Sequence, residues 1–279
     1  MSAVAAADMP VEAAPATALG RGTRTAFFVV LIAALASLYP FISLLVTSLL
    51  PPLNGHPGEL WVQLFQQLPV ASYMLNSTIV SGGAMVLVAV VSCMAGYGFA
   101  KLPFPGSAPI LGFILAALSV PQATTIIANY FNFAAWGGVG AYWGPILMYA
   151  AGSTPFSTVL MTNFFRALPD ELVEGAIIDG ASYWQVFIWI MAPLAAPALT
   201  TVAVLCFLGS WNDLLVGLLF LPDPATRTIS VGIATLQGVR SQGLNLILTG
   251  SLFSAIPPIV AFILFQRYLV SGIVSGVSK

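Results

Sequence analysis

The chain is predicted to be an all-α membrane protein that crosses the bilayer several times. Of its 279 residues, 59% are hydrophobic and only 6% are charged, whereas a soluble domain carries about 25% charged residues. The apolar residues form long runs, not the short alternating segments that a membrane β-barrel needs. The 25 glycines and 20 prolines are typical of broken, closely packed membrane helices.

Six segments are long and apolar enough to span the membrane, since a spanning helix needs about 20 such residues. We expect these spans near residues 25–50, 73–99, 110–130, 142–168, 193–219 and 246–269. Residues 1–23 are Ala- and Pro-rich, and we expect a flexible cytosolic tail there. The transmembrane domain then covers residues 24–279.

Basic residues favour the cytosolic side of a membrane protein. With both termini cytosolic, six of the eight lysines and arginines lie on or near that side, and only Arg227 and Arg240 lie outside. We therefore expect a multi-pass protein of the plasma or inner membrane with both ends inside. The net charge of −1 gives no reason to expect a nucleic-acid partner.

The side chains that catalysis or metal binding would need are scarce. The chain has one histidine and two cysteines, and both cysteines lie within apolar runs. No Cys/His cluster or Ser/His/Asp set can be assembled from them. We therefore expect no catalytic residues and no metal site.

Charge is concentrated in one segment between the fourth and fifth spans. Four of the nine acidic residues lie there, at Asp170, Glu171, Glu174 and Asp179. The local pattern predicts a helix that stops at a glycine turn at Gly180. A second helix then starts with a capping-box pattern at Ser182 and Gln185 and ends at Pro193. The pattern alone leaves open an interfacial connecting helix or a docking surface for a cytosolic partner.

The spacing within this segment favours the docking interpretation. It reads Glu174-Gly175-Ala176, three residues, Gly180, nine residues, Ile190, one residue, Ala192-Pro193. This resembles the conserved loop of ATP-binding-cassette (ABC) importer permeases, although alanine stands at the Gly175 position and leucine at the Ala192 position in that family. The resemblance implies a type I importer permease fold in which residues 170–193, the coupling loop, dock on a separate ATPase. The ATPase-coupling residues that it implies are Glu171, Glu174, Gly175, Ala176, Asp179 and Gly180.

The resemblance also implies that the chain binds no cofactor, with ATP and magnesium on two copies of the partner ATPase. The residues agree with this expectation, because a phosphate-binding loop needs a lysine directly after a glycine. The two lysines, Lys101 and Lys279, follow alanine and serine. The free energy for transport would therefore come from another polypeptide.

Three further stretches resemble carbohydrate importer permeases, above all the shorter permease of maltose-type systems. They are FAKLPFPG at 99–106, GSWNDLL at 209–215 and FQRYLVSG at 265–272. This resemblance implies a sugar as cargo and an extracytoplasmic sugar-binding protein. It also implies that a second permease subunit lies beside this chain in the membrane lipid. A polyol or glycerol-phosphate-type cargo stays open as an alternative, and so does an ion-coupled secondary transporter.

A carboxylate inside a membrane span is expensive and is therefore a functional candidate. Asp213 is such a residue, and with Trp211 and Asn212 it could contact sugar or brace the outer gate. The other polar candidates for the substrate path or gate are Asn129, Tyr130, Asn132 and Asn163. In the loop before the last span we expect a contact with the binding protein or a solvated loop, with Gln237, Arg240 and Gln242 as the contacting residues.

Overall fold

The computed structural model describes residues 21–49, 56–238 and 243–277. Within these ranges it is helical and contains no β-strand, which confirms the all-α prediction. A π-helical turn spans Phe187–Met191, and a 3-10 turn spans Thr235–Gly238. The helices are α1 (Arg21–Leu49), α2 (Glu59–Gln67), α3 (Val70–Lys101), α4 (Ser107–Ala117), α5 (Gln122–Ala135), α6 (Trp143–Ala167), α7 (Glu171–Ile178), α8 (Tyr183–Val186), α9 (Ala192–Leu194), α10 (Ala196–Asn212), α11 (Leu215–Phe220), α12 (Ile229–Ala234), α13 (Gly243–Ser254) and α14 (Ile256–Val277).

The chain divides into two compact units, residues 1–46 and residues 47–279. The first unit contains most of α1, which coincides with the first predicted span and carries Pro40 in its interior. This helix begins at Arg21, so the last three residues of the predicted tail are helical. The rest of that tail, residues 1–20, lies outside the described residues.

In the second unit, α3 is the central helix. It lies against α6 and α10, and α10 also lies against α14. The contact between α3 and α6 is close at Gly96, where an added Cβ would lie 2.6 Å from the Cβ of Met161. Small residues permit such close approach in membrane helices, where van der Waals packing supplies much of the association energy.

The described helices differ in whether they could cross a membrane. By length and composition, three described stretches could cross a membrane: Thr25–Leu49, Val70–Lys101 and Leu244–Tyr268. Two bent pairs, α4 with α5 and Tyr183–Leu194 with α10, raise this number to five if each pair is one span. The 25-residue α6 coincides with the fourth predicted span but is not among these five. The predicted count of six therefore stays a prediction.

Two of the predicted spans contain breaks. The third is bent by 100° between α4 and α5, because Pro121 has no N–H to donate and disfavours helical backbone at the residue before it. The fifth stops at Asn212, and Asp213 has extended backbone with φ −74° and ψ 131°. The Asp213 carboxylate then accepts a 2.8 Å hydrogen bond from the Val216 N–H, which caps α11 in place of a continuing helix.

Candidate coupling site and transport path

The coupling loop begins with a helix and a glycine turn, as the local pattern predicts. At the end of α7, the Gly180 N–H donates to the Ile177 carbonyl and the Ala181 N–H to the Ala176 carbonyl, both at 3.0 Å. This pair of bonds is a Schellman motif, which needs a left-handed residue. Gly180 supplies it with φ of 90°, so the predicted turn is confirmed.

The second helix of the loop starts with the predicted capping box. The Gln185 N–H donates to Ser182 Oγ at 3.3 Å, and the Ser182 N–H donates to Gln185 Oε1 at 2.8 Å. The expected end at Pro193 was wrong by one residue, because helical structure continues through a π-helical turn to Leu194. A π-turn before a proline is physically reasonable, since the proline removes one helical donor and the local hydrogen bonding must shift.

One face of α7 is apolar and packed, and the other is acidic and open. Val173 is buried, and Ala176 and Ile177 pack against the same core. Ile178 is 84% exposed. The exposed face also carries the predicted coupling residues Glu171, Glu174, Gly175, Asp179 and Gly180. An open apolar side chain on a face that also carries exposed carboxylates suits a protein partner better than the acyl chains of the bilayer.

A lysine joins the coupling loop to the end of α3. Lys101 Nζ donates to the Leu168 carbonyl at 2.6 Å and to the Asp170 carboxylate at 2.5 Å. The Lys101 side chain is only 3% exposed, whereas that of Asp170 is 77% exposed. Lys101 therefore binds the carboxyl end of α6 and the start of α7 at once.

Tyr97, one helical turn before Lys101, makes a second connection. Its hydroxyl donates to the Tyr183 carbonyl at 3.3 Å, and its ring contacts Phe187 at a centroid distance of 5.2 Å and Phe165 at 5.9 Å. Residues four apart lie on the same face of a helix. One face of α3 thus holds both helices of the coupling loop.

The structure places Asp213 at the break between α10 and α11. Its Oδ1 accepts hydrogen bonds from the Tyr149 hydroxyl at 3.0 Å and from the Val216 N–H at 2.8 Å. The carboxylate therefore joins α6 to the start of α11, and its role in the path or the outer gate stays a prediction. Sequence reasoning did not find Tyr149, because nothing local links two residues 64 positions apart.

Trp211 and Asn212 are placed differently from each other. Trp211 is 2% exposed, and its indole N–H donates to the Ser254 carbonyl at 3.0 Å. In this conformation its ring packs in the core and offers no face to a sugar. Asn212 is exposed, and its amide donates to the Leu208 carbonyl within the same helix at 2.8 Å.

The remaining path candidates lie on α5 and α6. Asn129 and Tyr130 are half-buried on α5, and the Tyr130 ring meets Phe220 edge to face at 5.9 Å. Asn132 and Asn163 are exposed. Of the predicted contacts to a binding protein, Gln237 lies in the 3-10 turn, and Arg240 and Gln242 lie outside the described residues.

A polar network that the sequence did not reveal fixes the amino-terminal part of α3. Asn76 is 4% exposed, and its amide donates to the carbonyls of Ala225 and Arg227 at 3.0 and 2.9 Å. The Tyr142 hydroxyl donates to Asn76 Oδ1 at 2.8 Å. The only sequence signal was a lone amide near the start of an apolar run, and its partners lie 66, 149 and 151 positions away.

Residues 90–274 match the family "Binding-protein-dependent transport system inner membrane component". The trehalose/maltose transport system permease protein MalG of Thermococcus litoralis is 32% identical over 88% of this chain and 93% of its own length. The osmoprotective compounds uptake permease protein GgtD of Synechocystis is 35% identical over 74% of this chain and 69% of its own. The resemblance to importer permeases stated from the motifs is therefore confirmed.

A solved structure agrees with the sequence relatives. A chain of a bacterial ABC transporter involved in the import of the acidic polysaccharide alginate superposes with a TM-score of 0.74 at 19% identity. The superposition covers 89% of this chain and 98% of that one, so the fold is that of an ABC importer permease of type I. The chain belongs to the family of binding-protein-dependent transport system inner membrane components.

Proposed function

We propose that the chain is one of two permease subunits of an ATP-driven sugar importer. A second permease completes the path, two ATPase copies bind at the cytosolic face, and a binding protein delivers the sugar outside. Several relatives carry names of this kind, among them the maltodextrin permease MdxG of Bacillus subtilis, 30% identical over 78% of this chain. The alginate importer has also been solved with a periplasmic protein that holds an alginate pentasaccharide, which supports a similar assembly here.

The observation that carries this proposal is the coupling loop and its attachment. The acidic face and Ile178 point away from the bundle, while Val173 on the opposite face is buried in it. A partner that displaces α7 would therefore also displace residues that are packed in the bundle, because α7 is not a loosely attached segment. The cytosolic orientation of this loop is part of the proposal and agrees with the distribution of basic residues.

The mechanical route through the chain follows from the contacts. Displacement of α7 acts on α3 through Lys101 and Tyr97, since both contact the coupling loop. It acts on α10 through the helical run from Tyr183 to Leu194, which joins α10 at a bend of 73°. Because packed interfaces switch between discrete arrangements, closure of the ATPase pair would rock α3, α6 and α10 between two states.

Reconstitution tests the proposal. The chain is purified with the second permease, ATPase and binding protein from neighbouring genes, and a thermal-shift screen of the binding protein identifies its sugar. Uptake of that sugar into proteoliposomes should require ATP and survive collapse of the proton and sodium gradients. Uptake that needs a gradient and no ATP would instead establish an ion-coupled transporter and refute the proposal.

A further inference from the structure

The bend between α4 and α5 opens a cavity of about 430 Å³ against α6. Its volume lies within the range of roughly 300–1,000 Å³ that is typical of small-molecule sites. Helices that break within the membrane are where transporters commonly place their substrates. The cavity therefore lies where a transported molecule could be held.

Three polar side chains of α5 line this cavity: Gln122, Thr125 and Asn129. Spacings of three and four residues place all three on one face of the helix. Neither the Gln122 amide nor the Asn129 amide has a hydrogen-bond partner among the described residues. Thr125 donates to the Gln122 carbonyl at 3.1 Å, so its oxygen can still accept a hydrogen bond.

The opposite wall of the cavity, on α6, includes a carbonyl that lacks its usual helical donor. Ala151 and Pro155 both line the cavity, and the proline has no N–H to donate to the carbonyl four residues before it. Gly152 lies between them, and a Cβ added there would lie 3.1 Å from the Gln122 amide. The glycine thus leaves room for the Gln122 side chain to reach across the cavity.

The rest of the lining is apolar, with Leu118, Val120 and Met148 among its residues, and none of the lining residues is charged. Amides and a hydroxyl can both donate to and accept from the hydroxyls of a ligand. The apolar wall can cover its C–H groups. A phosphate or carboxylate would find no counter-charge here. The lining thus fits a neutral polyhydroxylated molecule.

We propose that this cavity is a sugar-binding subsite, with Gln122, Thr125 and Asn129 as hydrogen-bonding residues for a neutral sugar in transit. The inference rests on the proposed sugar import and goes beyond it, because it assigns this subunit a direct contact with the cargo. Lipid is a poor occupant, since acyl chains would leave the amides without partners. A helix of the second permease is the other possible occupant, and the experiment below distinguishes it.

The test uses the reconstituted complex and the radiolabelled sugar found in the thermal-shift screen. Asn129→Leu should lower uptake at subsaturating sugar about tenfold and Thr125→Val about threefold, as expected for loss of one hydrogen bond to a ligand. Thr124→Val is the matched control, because Thr124 is exposed and donates to the Pro121 carbonyl at 2.7 Å but does not line the cavity. It should leave uptake unchanged.

A labelling experiment identifies what occupies the cavity. The buried Cys93 and Cys206 are replaced by alanine, and Asn129→Cys is treated with N-ethylmaleimide while the complex turns over. The sugar should slow alkylation at position 129 at least fivefold and leave Thr124→Cys unaffected. Alkylation at position 129 that is equally fast with and without sugar overturns the inference. Alkylation that the second permease blocks in the absence of sugar overturns it as well.

The two proposals fail in different ways. Wild-type complex that imports no sugar with ATP contradicts the proposed function. Wild-type complex that imports normally, with Asn129→Leu and Thr125→Val as active as Thr124→Val, contradicts the subsite alone. Normal recovery of each variant with the second permease and the ATPase shows that the bundle has folded.

Discussion

Alanine substitutions at two glycines of the coupling loop distinguish the effect of backbone conformation from the effect of steric crowding. Gly175 lies within α7 and Gly180 in the turn that ends it, and a Cβ added at either would meet no atom within 4 Å. Only Gly180 has a positive φ, at 90°. Alanine at either position therefore adds a methyl group into open space. The two substitutions differ only in the backbone conformation that the alanine must adopt.

The expected effects have opposite signs. Gly180→Ala forces an L-residue into left-handed backbone, which costs roughly 1–2 kcal/mol. Gly175→Ala should stabilise the helix by up to about 1 kcal/mol, since alanine has the higher helix propensity. A loss of 1–2 kcal/mol corresponds to a rise of about 5- to 30-fold in the open population of the loop.

Two assays measure these effects. One is hydrogen exchange of the loop amides, and the other is the number of sugars imported per ATP hydrolysed. In Gly180→Ala, the amides of Ala181 and Asp179 should exchange about 5- to 30-fold faster, and fewer sugars should be imported per ATP. In Gly175→Ala, exchange should slow and transport should be retained. Equal exchange and coupling in the two variants would refute the argument that the left-handed turn holds the loop.

Three further outcomes are expected. Gly96→Ala should destabilise the purified protein by about 1–3 kcal/mol because it overpacks the contact with α6, whereas Gly98→Ala, with open space around its Cβ, should not; equal melting temperatures would contradict this packing. Lys101→Met leaves the part-buried Leu168 carbonyl without this donor, at a cost of about 1–3 kcal/mol, and should lower transport per ATP more than Asp170→Asn, since an ion pair with an exposed carboxylate contributes at most about 1 kcal/mol; the reverse order would locate the link in the ion pair. Asp213→Asn keeps an acceptor for both hydrogen bonds and should retain uptake, whereas Asp213→Leu should lose it; loss in both would assign the carboxylate a charge-dependent role in the path.

The parts of the coupling loop that the sequence predicted correctly depend on local interactions. The glycine turn and the Ser182–Gln185 capping box each involve residues within five positions of one another. Such motifs can be found in one sequence because their geometry is set by a few neighbouring backbone groups. The helical class followed from composition for a similar reason, since the bilayer permits few backbone structures.

The parts that the sequence missed depend on distant partners. Lys101 reaches Leu168 across 67 positions, and Tyr149 reaches Asp213 across 64. The exact breaks in the third and fifth spans could not be placed from the sequence, because proline and isolated acids are tolerated in membrane helices when neighbours satisfy the freed groups. The bond between Asp213 and Tyr149 joins two helices that are far apart in the sequence, and periodicity cannot supply that information.

The central claim is that the coupling loop transmits work from a separate ATPase. The most direct test places a single cysteine at Ile178, which is 84% exposed on the acidic face of α7, and treats cytosol-exposed membranes with a short bifunctional crosslinker. The account predicts a covalent product that contains this chain and the ATPase, formed at a rate that changes when ATP is added. A cysteine that an impermeant reagent labels from the outer side, with no crosslink to the ATPase, would contradict the account.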